Sequence, residues 1–142
     1  MAARFNEPLF VISVAARLVE MHPQTLRKYE KEGLIEPSRT SGNLRLYSDR
    51  DIERLRQVKY LVEGRGLNLA GVQLVLELTR RLREIRQQTE DLHQGAVRNS
   101  PQLRGGDSFA MLRDELDGVL RMLGFVEEPQ RDDRRDGRPV LQ

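Results

Sequence analysis

A mainly α chain carrying one small β element is predicted by three observations. Apolar residues recur at steps of three and four through five segments, the signature of amphipathic helices. One short stretch, Leu44 to Tyr47, alternates with the two-residue period of a strand. Pro, Gly, Ser and Asn punctuate the joints between these segments.

Ser13 is the candidate N-cap of the first helix, because its side-chain oxygen can accept from an orphan amide and Ala15, Leu18 and Val19 then share one face. Glu20, Met21 and His22 make the turn. Pro23 suits the first position of a second helix, where its missing N–H would have had no partner, and Gly33 supplies a positive φ just past the end. Two helices joined by a turn of about three or four residues have helix-turn-helix geometry. On the second helix Leu26 and Tyr29 can pack inward with Leu34 and Ile35, leaving Gln24, Thr25, Arg27, Lys28 and Lys31 to face out. Gln can pair with adenine, Arg with guanine, and Thr with a base edge or a thymine methyl, so this face suits base readout as well as phosphate contact.

A cationic outer face is common on any amphipathic helix, so the segment that follows decides the matter. Glu36 to Tyr47 carries Pro37, Ser38, Gly42 and Asn43 as turn residues, with Leu44 and Leu46 alternating with Arg45 and Tyr47 in the manner of a half-buried strand. A small hairpin from which Arg39 and Arg45 project is a wing able to lie along phosphates. The expected fold of residues 9–78 is therefore a winged helix-turn-helix with a small β wing.

Ser48-Asp49-Arg50-Asp51 reads as a capping box opening another helix, with Ile52, Leu55, Val58 or Lys59, and Val62 at helical spacing. Gly64-Arg65-Gly66 ends it. From Asn68, a good N-cap, a further helix pattern covers residues 68–94, where Val75, Leu78, Leu82, Ile85, Thr89 and Leu92 recur at threes and fours. That period suits a coiled-coil-like dimerisation helix; an amphipathic helix packed on its own domain is the alternative. Residues 95–107, with Asn99-Ser100-Pro101 and Gly105-Gly106, have the composition of a flexible linker. A short C-terminal amphipathic helix over residues 108–125 is capped by Ser108 and repeats Phe109, Leu112, Leu116, Val119 and Leu123. A helix this short is marginal alone, so its stripe is expected against the dimerisation helix, a partner subunit or another protein. Residues 126–142, nearly devoid of apolar side chains as far as Gly137, read as a solvated disordered tail.

Four blocks in order now carry a family resemblance. Leu26-Arg27-Lys28-Tyr29-Glu30, then Gly33-Leu34-Ile35-Glu36-Pro37-Ser38-Arg39, then Arg45-Leu46-Tyr47-Ser48, then Asp51-Ile52-Glu53-Arg54-Leu55 resemble the DNA-binding domain of MerR-type regulators. Within that family, His22-Pro23-Gln24-Thr25-Leu26-Arg27, Arg39-Thr40 with Gly42, and Asn68-Leu69-Ala70-Gly71 are similar to the heat-shock repressors of the HspR type. The resemblance covers about half the chain. Lys28 departs from it, a cation standing where many members have an aromatic residue. Residue types and resemblance together give a DNA-binding set of His22, Gln24, Thr25, Arg27, Lys28, Lys31, Arg39, Thr40, Arg45, Tyr47 and Arg65, the last in a second small wing that the resemblance implies, with a plain helix stop as the alternative. The resemblance also implies pairing of two chains through the helix that bears the Val75 to Leu92 stripe, usually antiparallel.

Composition agrees. The 142 residues carry a net charge of only +2, but residues 1–66 hold 12 Lys or Arg against 9 Asp or Glu while residues 67–142 hold 12 against 13. The basic excess lies with the proposed DNA-binding part. Cysteine is absent, which excludes disulfides, thiolate metal sites and thiol redox sensing, and with them the cysteine-based metal sensing that the resemblance would otherwise suggest. The longest apolar run, Leu9 to Ala16, is interrupted by Ser13 and falls well short of the ~20 residues of a membrane span. Met1 to Pro8 carries Glu7 and no apolar core, unlike a signal peptide, so the expected location is the cytoplasm, with the nucleoid. His22 and His93 are the only histidines, and neither has a nucleophile or carboxylate pair at useful spacing. No catalytic residue, metal or cofactor is expected.

The resulting reading is a dimeric repressor of heat-shock genes that binds an inverted repeat, with the chaperone DnaK as a co-repressor implied by the resemblance. The Phe109 to Leu123 stripe and the Pro139-Val140-Leu141 patch are the candidate chaperone contacts. Two other readings stay open: a MerR-type activator answering a small ligand, and an excisionase-like architectural DNA-binding adaptor lacking the paired helix.

Overall fold

The computed structural model describes residues 5–100 and 107–127. Strand β1 (Phe10–Val11) runs directly into helix α1 (Ile12–Val19), and helix α2 (Pro23–Lys31) follows after a three-residue turn. Strands β2 (Ser38–Arg39) and β3 (Arg45–Tyr47) form the wing, helix α3 (Asp49–Lys59) continues into a π-helical turn (Tyr60–Gly64), and α4 (Leu69–Asn99) and α5 (Asp107–Met122) complete the order.

The sheet order is β1-β3-β2, both pairings antiparallel, with Phe10 opposite Tyr47 and Arg39 opposite Arg45. The β1 pairing overrides the expected first cap. Leu9 N–H donates to Tyr47 O at 3.0 Å, the chain leaves the sheet straight into α1, and the N-cap is Val11 with no side-chain bond, while Ser13 sits exposed inside the helix. At the other end Glu20 takes a left-handed conformation (φ 55°), unfavourable for a residue with a Cβ. Helix α3 compensates by presenting cations to the last carbonyls of α1: Lys59 Nζ reaches Val19 O (3.3 Å) and Glu20 O (3.1 Å), and Arg56 Nη2 reaches Leu18 O at 3.5 Å.

The expected caps of α2, α3 and α4 are present. Ser48 and Asp51 form a reciprocal capping box, with Asp51 N–H on Ser48 Oγ at 3.1 Å and Ser48 N–H on Asp51 Oδ2 at 2.9 Å. Asn68 Oδ1 accepts from Gly71 N–H at 2.9 Å, and Gly33 has φ +76° just past α2. One core joins these elements: Ala15, Val19, Leu26, Tyr29, Leu34, Ile35, Tyr47, Ile52, Leu55, Val58 and Leu61 pack with Val72 and Leu76 of α4.

The C-terminal half departs from the expected boundaries. Helix α4 continues through Gly95 to Asn99, so the linker expected over residues 95–107 begins no earlier than Ser100; residues 101–106 and the tail from 128, including Pro139-Val140-Leu141, lie outside the described residues. Gly95 is carried inside this helix at a cost of about 1 kcal/mol relative to Ala. Helix α5 folds back antiparallel on α4: His93 stacks on Phe109 with centroids 3.8 Å apart, Arg86 Nη1 bonds Asp117 Oδ1 at 3.0 Å, and the far end reaches the winged domain. Helix α5 begins at Asp107 rather than being capped by Ser108 and stops at Met122, short of residue 125. Its buried residue is Leu120 rather than Val119 or Leu112, both of which remain exposed.

Candidate nucleic-acid interface

Helix α2 is held by its inner face and its first turn. Leu26 and Tyr29 are buried, and His22 is the N-cap, its Nδ1 accepting from Gln24 N–H at 3.1 Å. A histidine cap fixes the ring at the front of the helix and satisfies one orphan amide. Pro23 occupies the first helical position, as its missing donor allows. Gln24, Arg27, Lys28 and Lys31 are exposed and Thr25 half-exposed, so the predicted reading face is open along its length. Lys28 lies 3.9 Å from Glu32, a loose pair on the solvent side.

The wing is tied to this helix through a residue that the sequence did not single out. Glu30, one turn beyond Leu26, takes Arg39 Nη2 on Oε1 at 2.6 Å and Arg45 Nε on Oε2 at 2.5 Å. Arg39 Nη1 also reaches Asn43 O at 3.2 Å, and Asn43 holds the wing tip with φ 64°. Partial burial pushes the Glu30 carboxyl up, but the hydrogen bonds and charge of Arg45 and Arg39 outweigh it and hold the group below the usual carboxylate range. Thr40 closes the wing, its Oγ1 accepting from Leu44 N–H at 3.1 Å while its own N–H donates to Leu44 O at 2.9 Å. Both bonds shape the hairpin. Arg65 is exposed on the short connection between the π-helical turn and α4.

Tyr47 corrects the expected set. Its side chain is 0 % exposed and its phenol oxygen has no hydrogen-bond partner among the described residues, so it cannot touch DNA. The strand's facing is reversed from the expectation: Arg45 and Tyr47 share the face turned to α2, while Leu44 is half-exposed. Leu44 sits at the wing tip, where no second layer covers it, whereas β3 is the central strand and its inner face meets the helices. Burial pushes the Tyr47 hydroxyl pKa up, and the Glu30 charge adds to the shift. Tyr47→Phe should leave operator affinity unchanged and raise stability by about 1 kcal/mol, the cost of an unpaired buried hydroxyl. Thermal denaturation and fluorescence anisotropy check it; lost affinity at full stability would return Tyr47 to the contact set.

Beyond the interface, α4 presents two faces. Toward its own chain it holds Val72, Leu76 and Thr79 buried, with Val75 packed against the core. On the other side Leu78, Ile85 and Leu92, seven residues apart, are 44 %, 48 % and 76 % exposed, while Leu82 and Thr89 between them are half-buried. Leu74, missed by the sequence reading, extends this open stripe. Between α3, α4 and the residues after α5 lies a cleft of about 220 Å³ lined by Arg50, Arg54, Arg80 and Arg83 with Glu53 and Glu77. Burial pushes the Glu53 carboxyl above its ordinary range, with Arg83 opposing the shift. Phe125 also lines the cleft, and the Arg83 guanidinium lies over its ring at 4.6 Å. No helix among the described residues is long and apolar enough to cross a membrane.

Comparison with known proteins agrees with this geometry. The family model described as MerR HTH family regulatory protein matches residues 10–79, which run from β1 to the buried Thr79 of α4. The heat shock protein HspR of Streptomyces coelicolor is 49% identical over 87 residues, covering 61% of this chain and 58% of that protein. The HTH-type transcriptional regulator GlnR of Bacillus anthracis is 32% identical over 116 residues, covering 80% of this chain and 81% of that protein. The HTH-type transcriptional regulator MlrA of Escherichia coli is 36% identical over 69 residues, 48% of this chain but 28% of that protein. This chain therefore spans little more than half of the first of these relatives and most of the second. With a capped, cationic second helix, a basic wing and relatives that are transcriptional regulators rather than enzymes, the chain belongs to the MerR family of DNA-binding helix-turn-helix transcriptional regulators.

Proposed function

We propose that this protein is a repressor of heat-shock genes that binds an inverted repeat as a dimer. The observation that supports it most is the 49% identity with HspR across a stretch longer than the winged domain alone. Pairing through α4 is supported by the open Leu78, Ile85 and Leu92 stripe, since three large apolar side chains on one face of a 31-residue helix favour burial against a second copy. A two-fold dimer then places its reading helices on half-sites whose centres lie one DNA turn, about 34 to 36 Å, or a multiple apart.

Helix α2 acts as the reader and the wing as the phosphate contact in this proposal. Arg27→Ala should cost about 1 to 3 kcal/mol on operator DNA with a smaller loss on random DNA, whereas Arg45→Ala should weaken both and flatten the salt slope. Equal effects of both substitutions on both DNAs would remove the division of labour.

The signal in this reading is the chaperone DnaK acting as co-repressor. It must bind the DNA-competent form more tightly to raise operator affinity, and its titration by unfolded protein then relieves repression. The charged lining of the cleft beside Phe125 is unlike the predominantly apolar lining of drug-sized ligand sites, which favours a protein signal there. The deciding experiment is a footprint over the gene's own upstream region with and without DnaK. Protection of an inverted repeat that strengthens with chaperone supports the proposal; no change with chaperone rejects the co-repressor.

A further inference from the structure

We infer that Glu30 is a positioning residue for DNA binding, a carboxylate that sets the two wing arginines for the phosphates before DNA arrives. The inference rests on the reading of the wing as a DNA contact. A carboxylate on the reading helix would ordinarily be a liability beside a polyanion. Glu30 instead spends both oxygens on Arg39 and Arg45, at 2.6 and 2.5 Å, and the cluster keeps a net charge of +1.

The donors left over carry the argument. Each guanidinium has five N–H groups in a rigid fork. Arg45 uses Nε on Glu30, and among the described residues neither of its Nη groups has an acceptor; Arg39 uses Nη1 on Asn43 O of the wing and Nη2 on Glu30 of α2, which leaves Nε. The three side chains are 22 to 35 % exposed, so the free edges stay within reach of solvent, and of a phosphate, while the bound edges are fixed. Long arginine side chains lose much rotamer freedom when they bind, and Glu30 has removed that freedom in advance. The clamp also fixes the wing relative to α2, because one carboxylate joins β2, β3 and the reading helix. Base readout and phosphate contact are thereby held in one register, and contacts to phosphate are what set register on the duplex.

Two accounts of Glu30 predict opposite signs. If it were only a negative charge near DNA, Glu30→Gln would tighten operator and random DNA alike. If it positions the wing, Glu30→Gln should weaken operator binding by about tenfold while random DNA, governed by net charge, is unchanged or tighter by a few-fold. The exposed Glu36→Gln removes the same charge just before β2 and should weaken neither DNA. The test is fluorescence anisotropy on full-length protein with Glu30→Gln, Glu36→Gln, Arg39→Ala/Arg45→Ala and the triple variant, on operator and random duplexes. The triple variant should bind no worse than the arginine double variant. Arg45→Lys, which keeps the charge and loses the fork, is a second route independent of any folding defect: operator affinity should fall while random DNA binding holds. Tightening of both DNAs by Glu30→Gln, or unchanged operator affinity in Arg45→Lys, overturns the inference. If the arginine double variant binds both DNAs like the native protein, the reading of the wing itself fails.

Discussion

Leu78→Glu with Ile85→Glu should convert the protein to monomers and lower operator affinity about 100-fold or more. Both positions are roughly half exposed in the single chain, so the monomer can carry the carboxylates at little cost to its own fold. In a paired helix the same positions are buried, where each native side chain contributes about 1.5 to 3 kcal/mol of apolar burial. Four carboxylates would face one another across the seam. On the proposed dimer, loss of pairing would remove one of two half-site contacts, and joined binding sites gain about 10² to 10⁴ over single ones. Leu82, although on the same stripe, is the poorer target because it is half-buried within the chain. Sedimentation and anisotropy measure the result. A dimer that persists in the double variant would place the interface elsewhere.

Phe125→Ala should destabilise the protein by about 3 to 5 kcal/mol, the usual cost of emptying a buried phenylalanine site, and lower the melting temperature by on the order of 10 °C. Phe125 is 5 % exposed and lines the cleft beside α3 and α4, with Arg83 over its ring. The chain is brought there by a tight turn. Phe125 N–H donates to Leu120 O at 3.0 Å, Gly124 takes φ +82°, and Gln57 Nε2 of α3 reaches both Thr79 Oγ1 (2.8 Å) and Leu123 O (3.0 Å). At Gly124 an added Cβ would stand 2.4 Å from Tyr60 Cδ1 in the π-helical turn. Gly124→Ala should therefore act in the same direction through both φ and the clash. Far-ultraviolet circular dichroism gives the melting point, and limited proteolysis after α4 reports whether α5 has come loose. An unchanged melting point in Phe125→Ala would mean that the turn does not brace the winged domain.

Local chemistry made much of this protein legible without coordinates. The capping box at Ser48 and Asp51, the Asn68 cap, Pro23 at a helix start and Gly33 beyond its end are decided by groups within four residues of one another. The outward orientation of the face from Gln24 to Lys31 follows from helical spacing alone, since Leu26 and Tyr29 fix which side is inward. Long-range contacts decided the rest. The antiparallel pairing of β1 with β3 moved the start of α1 ahead of Ser13. It also placed β3 at the centre of the sheet, which buried Tyr47 and turned Arg45 toward Glu30. Folding of α5 back on α4 carried that helix past Gly95 and buried Leu120 and Phe125 in place of Val119. Sequence spacing reports which residues share a face and which backbone groups can be capped, because both are set by the geometry of a few consecutive peptides. It does not report which carboxylate meets an arginine 9 or 15 residues away, because that depends on how separate elements settle against one another in the common core.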